Sequence, residues 1–308
     1  MHKLLSLLII SLVSFVAYSQ KQVSITIDDV PNSMLYAAEG YRARLLYKID
    51  SMQLPVAIFI NEHRILSADA VDKSMSLFND WIKSPNVIVG HHGYHHAMYS
   101  TAGIDSFRSE ILKGEVLSKQ LSGRYHKKEK YFRFPYNDLG EDAKQHQEAE
   151  SFLTSKGYII TPYTVHSDDW LVTELYEYYK QKNMMADAKR IGDAFIKVTL
   201  EYFDYIETLT DAKLKRNVKQ IYLMHDNVLN ADYMDKLVAA LKKKGYSFIT
   251  LDDAMSDPVY RQKDFYELKY GVSWVYRWIK DPAERKKLMR ASPATTDIEK
   301  ELELVKKN

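Results

Sequence analysis

Short runs of apolar residues recur along this chain at the length of buried β-strands. Residues 56–60 form an uninterrupted apolar run, which is typical of a strand covered on both faces. Residues 23–27 alternate, are rich in β-branched side chains and stop at two aspartates. The expected strands are residues 23–27, 56–60, 86–89, 131–134, 158–162, 220–224 and 247–251.

The segments between these runs carry apolar residues at helical spacing. Leu45, Leu46 and Ile49, for example, share one face of a helix. The expected helices are residues 41–52, 70–83, 104–121, 149–156, 187–208 and 233–244. Because strands alternate with helices, the pattern predicts parallel βαβ units and therefore an α/β fold.

Residues whose side chains can take part in catalysis or metal binding follow the predicted strands, at the point where each strand ends. They are Asp28-Asp29, the segment 91–96, the segment 133–136 and His225. The carboxyl ends of parallel strands meet on one face of such a fold, and that face holds the active site. We therefore expect these four groups to lie close together.

The N-terminus resembles a targeting segment rather than part of the fold. Lys3 precedes an apolar stretch over residues 4–17, and Ala17-Tyr18-Ser19 has the small-x-small pattern of a cleavage site. The stretch is shorter than the ~20 residues of a membrane-spanning helix. We predict a signal peptide over residues 1–19, export to the periplasm or the exterior, and no stable membrane span after cleavage. A buried first strand or an uncleaved anchor is the alternative.

The pattern changes again near residue 256. Aromatic residues crowd the stretch 260–278, and residues 298–307 have the composition of a solvated, frayed charged helix. We interpret residues 256–308 as a C-terminal extension that packs on the preceding fold. An exposed aromatic surface for stacking on sugars is the alternative.

Composition and charge exclude several classes of protein. Hydrophobic residues make up 46% and charged residues 27%, which is ordinary for a globular protein and excludes a disordered or multi-span membrane chain. The net charge of +2 gives no strong field of one sign, so no nucleic-acid partner is expected. The absence of cysteine excludes disulfides, thiolate metal sites and cysteine nucleophiles. Any metal must therefore be held by His, Asp or Glu.

Four of the ten histidines lie between positions 91 and 96. Two pairs have i, i+4 spacing, His91 with His95 and His92 with His96, and on one turn of helix either pair could grip a single ion. A carboxylate from Asp28-Asp29 could complete the site. Neighbouring side chains leave a strand in opposite directions, so one aspartate could bind metal while the other acts as a base. A histidine-rich surface loop and a capped turn are the alternatives.

Five short motifs together resemble the polysaccharide deacetylase family, the NodB-homology carbohydrate esterases. They occur in the family's order and cover roughly residues 21–255: Thr26-Ile27-Asp28-Asp29, the H-[ST]-x-x-H segment 92–96, Arg133-Phe134-Pro135-Tyr136, the D-x-x-D-W segment 166–170, and Leu223-Met224-His225. The resemblance implies a distorted (β/α) barrel of about seven parallel strands over residues 20–255. The register of the second motif selects His92 and His96 over the other pair.

The resemblance also implies a metal centre and a base. Asp29, His92 and His96 would hold a divalent metal, with Zn²⁺ preferred and Co²⁺ or Ni²⁺ as alternatives. Asp28 would be the general base. Arg133 would orient it and keep it ionised.

The remaining roles concern the leaving group and the substrate. The backbone N–H of Tyr136 would help to stabilise the oxyanion, and His225 would be the general acid that protonates the leaving amine. Asp169 would pair with His225 and favour its protonated form. Trp170 and Leu223, together with Tyr136, would line the substrate groove.

Two positions depart from the family pattern. His166 stands where the family has the first aspartate of the fourth motif, which would change contacts in the groove. Gly93 stands where the family has Ser or Thr, which could loosen the surroundings of the metal histidines.

The function implied is metal-dependent removal of acetyl groups, N-acetyl in preference to O-acetyl, from a cell-envelope or extracellular polysaccharide. The partner would be an acetylated glycan. Two alternatives remain, a non-catalytic glycan-binding protein on the same barrel and a metal hydrolase of a non-sugar amide or ester.

Overall fold

The computed structural model describes residues 20–307, so the predicted signal peptide lies outside the described residues. Within that part of the chain, seven strands form one sheet in which every pair is parallel. The strands are β1 (Lys21–Val30), β2 (Val56–Ile60), β3 (Val87–His91), β4 (Tyr131–Phe132), β5 (Ile159–Ile160), β6 (Gln220–His225) and β7 (Tyr246–Phe248).

Helices connect the strands and cover the outside of the sheet. They are α1 (Ser33–Ala38), α2 (Arg44–Ser51), α3 (Glu62–Leu66), α4 (Val71–Lys83), α5 (Tyr99–Lys113), α6 (Val116–Arg124), α7 (Ala143–Ser155), α8 (Asp169–Gln181), α9 (Met185–Leu214), α10 (Val228–Lys243), α11 (Leu251–Met255), α12 (Trp274–Arg277), α13 (Pro282–Arg290) and α14 (Thr296–Lys307). Two 3₁₀ turns occupy Pro135–Asn137 and Pro258–Arg261. None of the helices within residues 20–307 combines the length and apolar character of a membrane span.

The sheet curls so that its two edges approach each other. Its order is β5-β4-β3-β2-β1-β6, and β7 pairs with the first residues of β1. The chain just after β5 reaches β6, where Val165 forms a bridge with Tyr222. This curled parallel sheet with surrounding helices confirms the predicted distorted (β/α) barrel and the α/β class.

Alternation along the strands determines which side chains enter the barrel. Ile25 and Ile27 of β1 belong to the large hydrophobic cluster formed with the helices. Phe59 of β2 and Leu223 of β6 belong to a separate, smaller cluster, with Tyr131 and Tyr163. Because alternate residues of a strand point to opposite faces, Asp28 at the end of β1 points away from the helix-covered side.

Two predicted elements are wrong for local reasons, and one long helix was not predicted. The helix expected over residues 104–121 is divided into α5 and α6 at Gly114, where a Cβ atom would lie 2.9 Å from the His91 ring. Helix α8 was not expected, although it begins at Asp169 of the fourth motif. The last predicted strand ends early, because the Thr250 side chain accepts a hydrogen bond from Asp253 N–H and so caps α11.

Most of the C-terminal extension packs against the barrel. Tyr266, Tyr276 and Arg277 are buried, and Leu302 of α14 is buried too. The predicted terminal helix is present as α14 and most of its residues are exposed, but it is docked rather than frayed, because Leu302 anchors it on the large cluster. Tyr270, in contrast, is 59% exposed.

Candidate active site

An irregularity at the end of β1 brings the carboxylates of Asp28 and Asp29 close to the same imidazole, that of His92. The pairing of β1 with β2 shifts register between Ile27 and Val30, and Asp29 has a left-handed backbone with φ of 66°. As a result, His92 Nε2 lies 3.8 Å from Asp28 Oδ2 and 3.9 Å from Asp29 Oδ1. The expectation that the two side chains diverge is wrong, because strand alternation fails where the backbone leaves the extended region.

Asp29, His92 and His96 form the cluster that can hold a metal ion. Their ligand atoms lie within 4.8 Å of one another, and His96 Nε2 is 3.6 Å from Asp29 Oδ1. Asp29 Oδ1 is buried and has no hydrogen-bond partner, so it is available as a ligand. Burial lowers the pKa of both imidazoles, which keeps them neutral. Two neutral imidazoles and one carboxylate fit Zn²⁺ or a similar divalent ion.

The other two histidines of the segment 91–96, His91 and His95, have different partners. His91 Nε2 lies 2.9 Å from the Ile111 carbonyl, and its Nδ1 accepts a hydrogen bond from Gly93 N–H. His95 Nδ1 lies 2.7 Å from Glu110 Oε1. The segment is an irregular loop, so the helical-turn premise is wrong. The positive φ values of Gly93 and His96 redirect the chain and bring His92 and His96 together.

The hydrogen bonds around His92 fix its orientation. Its Nδ1 lies 2.8 Å from the Arg133 carbonyl, which leaves Nε2 for a metal. The Asn61 amide donates to the backbone carbonyls of His92 and Gly93. These contacts hold the loop at the position where Gly93 replaces the family's hydroxyl residue.

Arg133 lies fully buried beneath Asp28. Its Nη1 is 3.6 Å from Asp28 Oδ2, while Nη2 donates to Thr26 Oγ1 and the Pro162 carbonyl. Its guanidinium also covers the Phe59 ring. Burial raises the pKa of Asp28 to about 6, although Arg133 opposes that shift. A carboxyl group with this pKa is ionised at neutral pH and can still accept a proton.

His225 and Asp169 form a second buried pair. His225 Nδ1 lies 2.8 Å from Asp169 Oδ1, and Asp169 Oδ2 accepts hydrogen bonds from the His225 backbone N–H and from the Asn227 and Asn230 amides. Burial alone would lower the pKa of His225, but Asp169, together with Asp29 and Asp28, outweighs burial and raises the pKa to about 9. His225 is therefore protonated at neutral pH, and its backbone pairs in register with Asp28.

A cavity of about 450 Å³ joins these groups. Every residue predicted for the site lines it except Arg133, which supports Asp28 from below. Tyr136 has φ of 56°, and its ring lies 4.6 Å from that of His96. His166 also lines the cavity and pairs with Asp168 at 3.1 Å.

Several neighbours of the site were not predicted. Arg64 pairs with Asp29 at 3.1 Å, and Tyr270 and Gly271 line the cavity from the C-terminal extension. Asn227 and Asn230 lie within five residues of the last motif, so their nearness to His225 in the sequence could have suggested a role. No local pattern marks Arg64 or Tyr270, because only folding brings them near the motifs.

Comparisons with known proteins agree with the motifs. Residues 16–152 match the family model described as polysaccharide deacetylase. The peptidoglycan-N-acetylglucosamine deacetylase of Bacillus cereus is 22% identical over 238 residues, which are 76% of this chain and 68% of that relative.

Solved structures with similarity include members of one esterase family. A family 4 carbohydrate esterase from Streptomyces lividans, in complex with acetate, aligns with a TM-score of 0.49 and 18% identity over 76% of this chain and 95% of that one. A pseudoenzyme of the same family from Bacillus anthracis aligns with a TM-score of 0.49 and 16% identity over 77% of this chain and 66% of that one. The family model confirms the resemblance that the motifs predict, to the polysaccharide deacetylase family, over residues 16–152 of this chain.

Proposed function

We propose that this protein is a metal-dependent hydrolase that removes acetyl groups from a polysaccharide, N-acetyl groups in preference to O-acetyl groups. One observation carries the proposal. A single cavity joins the Asp29–His92–His96 cluster to a buried carboxylate with a raised pKa and to a histidine with a raised pKa. A glycan-binding protein without catalysis would have no use for a carboxylate and a histidine whose pKa values are both raised beside a metal cluster.

A single metal ion would supply the electrophilic part of the site. Asp29, His92 and His96 would hold Zn²⁺, or Co²⁺ or Ni²⁺ in its place. When bound, such an ion polarises the acetyl carbonyl and lowers the pKa of water.

Asp28 and Tyr136 act in the first half of the reaction. Asp28 takes a proton from the attacking water as the water oxygen bonds to the acetyl carbon. Arg133 keeps Asp28 in place for this transfer. The backbone N–H of Tyr136 donates to the oxyanion that develops, a contribution that is typically about 3 kcal/mol.

His225 acts in the second half. An amine is a poor leaving group unless its nitrogen is protonated as the bond breaks. His225 gives its proton to that nitrogen, the carbon–nitrogen bond breaks, and acetate and a free amino sugar result. Asp169 holds the ring by Nδ1, so that Nε2 carries the proton that is transferred.

The substrate class and the location follow as parts of the same proposal. The Bacillus cereus relative is named for N-acetylglucosamine in peptidoglycan, which supports an acetylated cell-envelope glycan as the partner. Such a substrate agrees with the predicted signal peptide, with export, and with a mature barrel over residues 20–255 followed by the extension 256–308.

Acetate release from the metal-loaded protein tests the proposal. We expect release from N-acetylglucosamine oligomers, and loss of about 10²–10⁴-fold in kcat for Asp28→Asn with metal content unchanged. Asp105→Asn, an exposed aspartate on α5, is the matched control and should behave as the wild type. Retention of glycan without acetate release from any acetylated substrate would favour the binding-protein alternative.

A further inference from the structure

The C-terminal extension contributes a wall to the active-site cavity. We call residues 264–277 the C-terminal strap. Gly271 N–H donates to the Tyr136 carbonyl at 3.0 Å, and Trp274 N–H donates to the Tyr163 carbonyl at 2.9 Å. Tyr136 and Tyr163 both line the cavity. The strap is thus bonded to the two segments that form the rim.

The strap lies against the 3₁₀ turn Pro135–Asn137, as close as backbone atoms permit. A Cβ atom on Gly271 would fall 2.1 Å from Asn137 Cβ and 2.3 Å from the Asn137 carbonyl oxygen. Contacts this short exclude any side chain at position 271. A glycine at position 271 lets the backbone of the strap contact Asn137, the residue that follows Tyr136.

A buried arginine fixes the rest of the strap. Arg277 is 1% exposed, its Nε donates to Asp264 Oδ2, and its Nη2 donates to the Tyr266 carbonyl. Ser273 Oγ donates to the Thr164 carbonyl at 2.6 Å. The position of residue 270 is therefore set by contacts on both sides of it.

Tyr270 projects from this anchored segment with its ring exposed. It lines the cavity, is 59% exposed and has a left-handed backbone with φ of 60°. Among residues 20–307 its hydroxyl has no hydrogen-bond partner and its ring stacks on no other ring. An exposed aromatic side chain in an uncommon backbone conformation gains little for the fold, so its location points to a ligand.

Two more aromatic residues line the same cavity with about half of their surface exposed. Tyr136 is 51% exposed and Trp170 is 54% exposed, and each comes from a different segment of the chain. Sugar rings present apolar C–H faces that pack on aromatic rings. Exposed apolar surface beside convergent polar groups marks a ligand site.

We propose that Tyr270 is a specificity-determining residue that stacks on a sugar ring of the glycan bound next to the metal cluster. This inference rests on the proposed function and extends it. It assigns part of the substrate site to the C-terminal extension, which lies beyond the matched region 16–152.

The test compares three variants with the β-1,4-linked pentamer of N-acetylglucosamine as the probe. Tyr270→Asn removes the ring but tolerates the left-handed backbone, and Tyr270→Phe keeps the ring without the hydroxyl. Tyr47→Asn, which changes an exposed tyrosine on α2, is the control. We expect Tyr270→Asn to raise KM by about fivefold to tenfold at constant kcat. Tyr270→Phe and Tyr47→Asn should keep the wild-type KM.

The proposal is overturned if Tyr270→Asn keeps the wild-type KM, or if Tyr270→Phe is impaired as strongly as Tyr270→Asn. Calorimetric binding of the pentamer separates this outcome from failure of the proposed function. If the wild type releases no acetate but binds the pentamer, weaker binding by Tyr270→Asn supports the stacking role. Equal binding by both proteins, or no binding by either, overturns it.

Discussion

Arg64 Nη2 donates a hydrogen bond to Asp29 Oδ2 at 3.1 Å, while Asp29 Oδ1 faces His96. The guanidinium thus occupies one carboxylate oxygen and leaves the other for a metal. Burial would raise the pKa of Asp29, but nearby cationic groups, with Arg64 the largest contributor, hold the pKa below its ordinary value. Asp29 is therefore ionised and oriented before any metal binds.

Removal of Arg64 should weaken metal binding. Loss of a residue that orients a metal ligand typically costs 10–100-fold in affinity, and we expect about tenfold for Arg64→Ala. Arg64→Gln keeps a donor and should lose less. The measurement is the Kd for Zn²⁺ in a competition titration, with Arg108→Ala on α5 as the control. Unchanged or tighter binding by Arg64→Ala would mean that charge repulsion outweighs orientation.

The two neighbouring histidines at positions 95 and 96 should differ sharply. His96→Ala removes a ligand of the cluster, so we expect loss of bound metal and of acetate release together. His95→Ala removes only a partner of Glu110 and should keep both. The measurements are the metal content of the purified variants, by elemental analysis, and their rate of acetate release. Metal loss in His95→Ala, or a fully loaded and active His96→Ala, would contradict the assignment.

The pH dependence of kcat/KM should be bell-shaped. Asp28 must be ionised to act as a base, so the rate rises with pH through its pKa of about 6. His225 must be protonated to act as an acid, so the rate falls through its pKa of about 9. A cation held beside Asp28 favours its carboxylate, which places the acidic limb at or below pH 6. A rate that continues to rise above pH 10 would exclude His225 as the acid.

Asp169→Asn should move chiefly the alkaline limb of the pH profile. Without the carboxylate, burial lowers the pKa of His225, so the rate falls at a lower pH than in the wild type. NMR titration of the His225 ring gives the same pKa directly. An alkaline limb that stays near pH 9 would show that Asp169 is not its cause.

The His225–Asp169 pair should make the free energy of unfolding depend on pH. The pKa of His225 is raised above its unfolded value, so the pair stabilises the fold fully below about pH 6.5 and loses this effect as pH rises through about 9. The difference in Tm between wild type and Asp169→Asn should therefore be larger at pH 6 than at pH 10. Thermal unfolding at the two pH values measures it, and a constant difference would contradict the prediction.

The sequence by itself determined the class of fold and the chemical groups available. The apolar run 56–60 coincides with β2, because a strand buried on both faces needs no alternation. Asp28 and His225 occur where predicted strands stop, and the parallel topology then places them side by side in register. These features depend on local periodicity, which a single chain displays directly.

Tertiary structure decided which of those groups meet. His92 and His96 face Asp29, while His91 and His95 turn to Ile111 and Glu110, although the spacing of the two pairs is the same. The backbone conformation of the loop makes this choice, and no periodicity encodes it. Arg64 and Tyr270 reach the cavity from distant parts of the chain. Contacts between residues far apart in sequence depend on packing of the whole fold, so only the folded chain displays them.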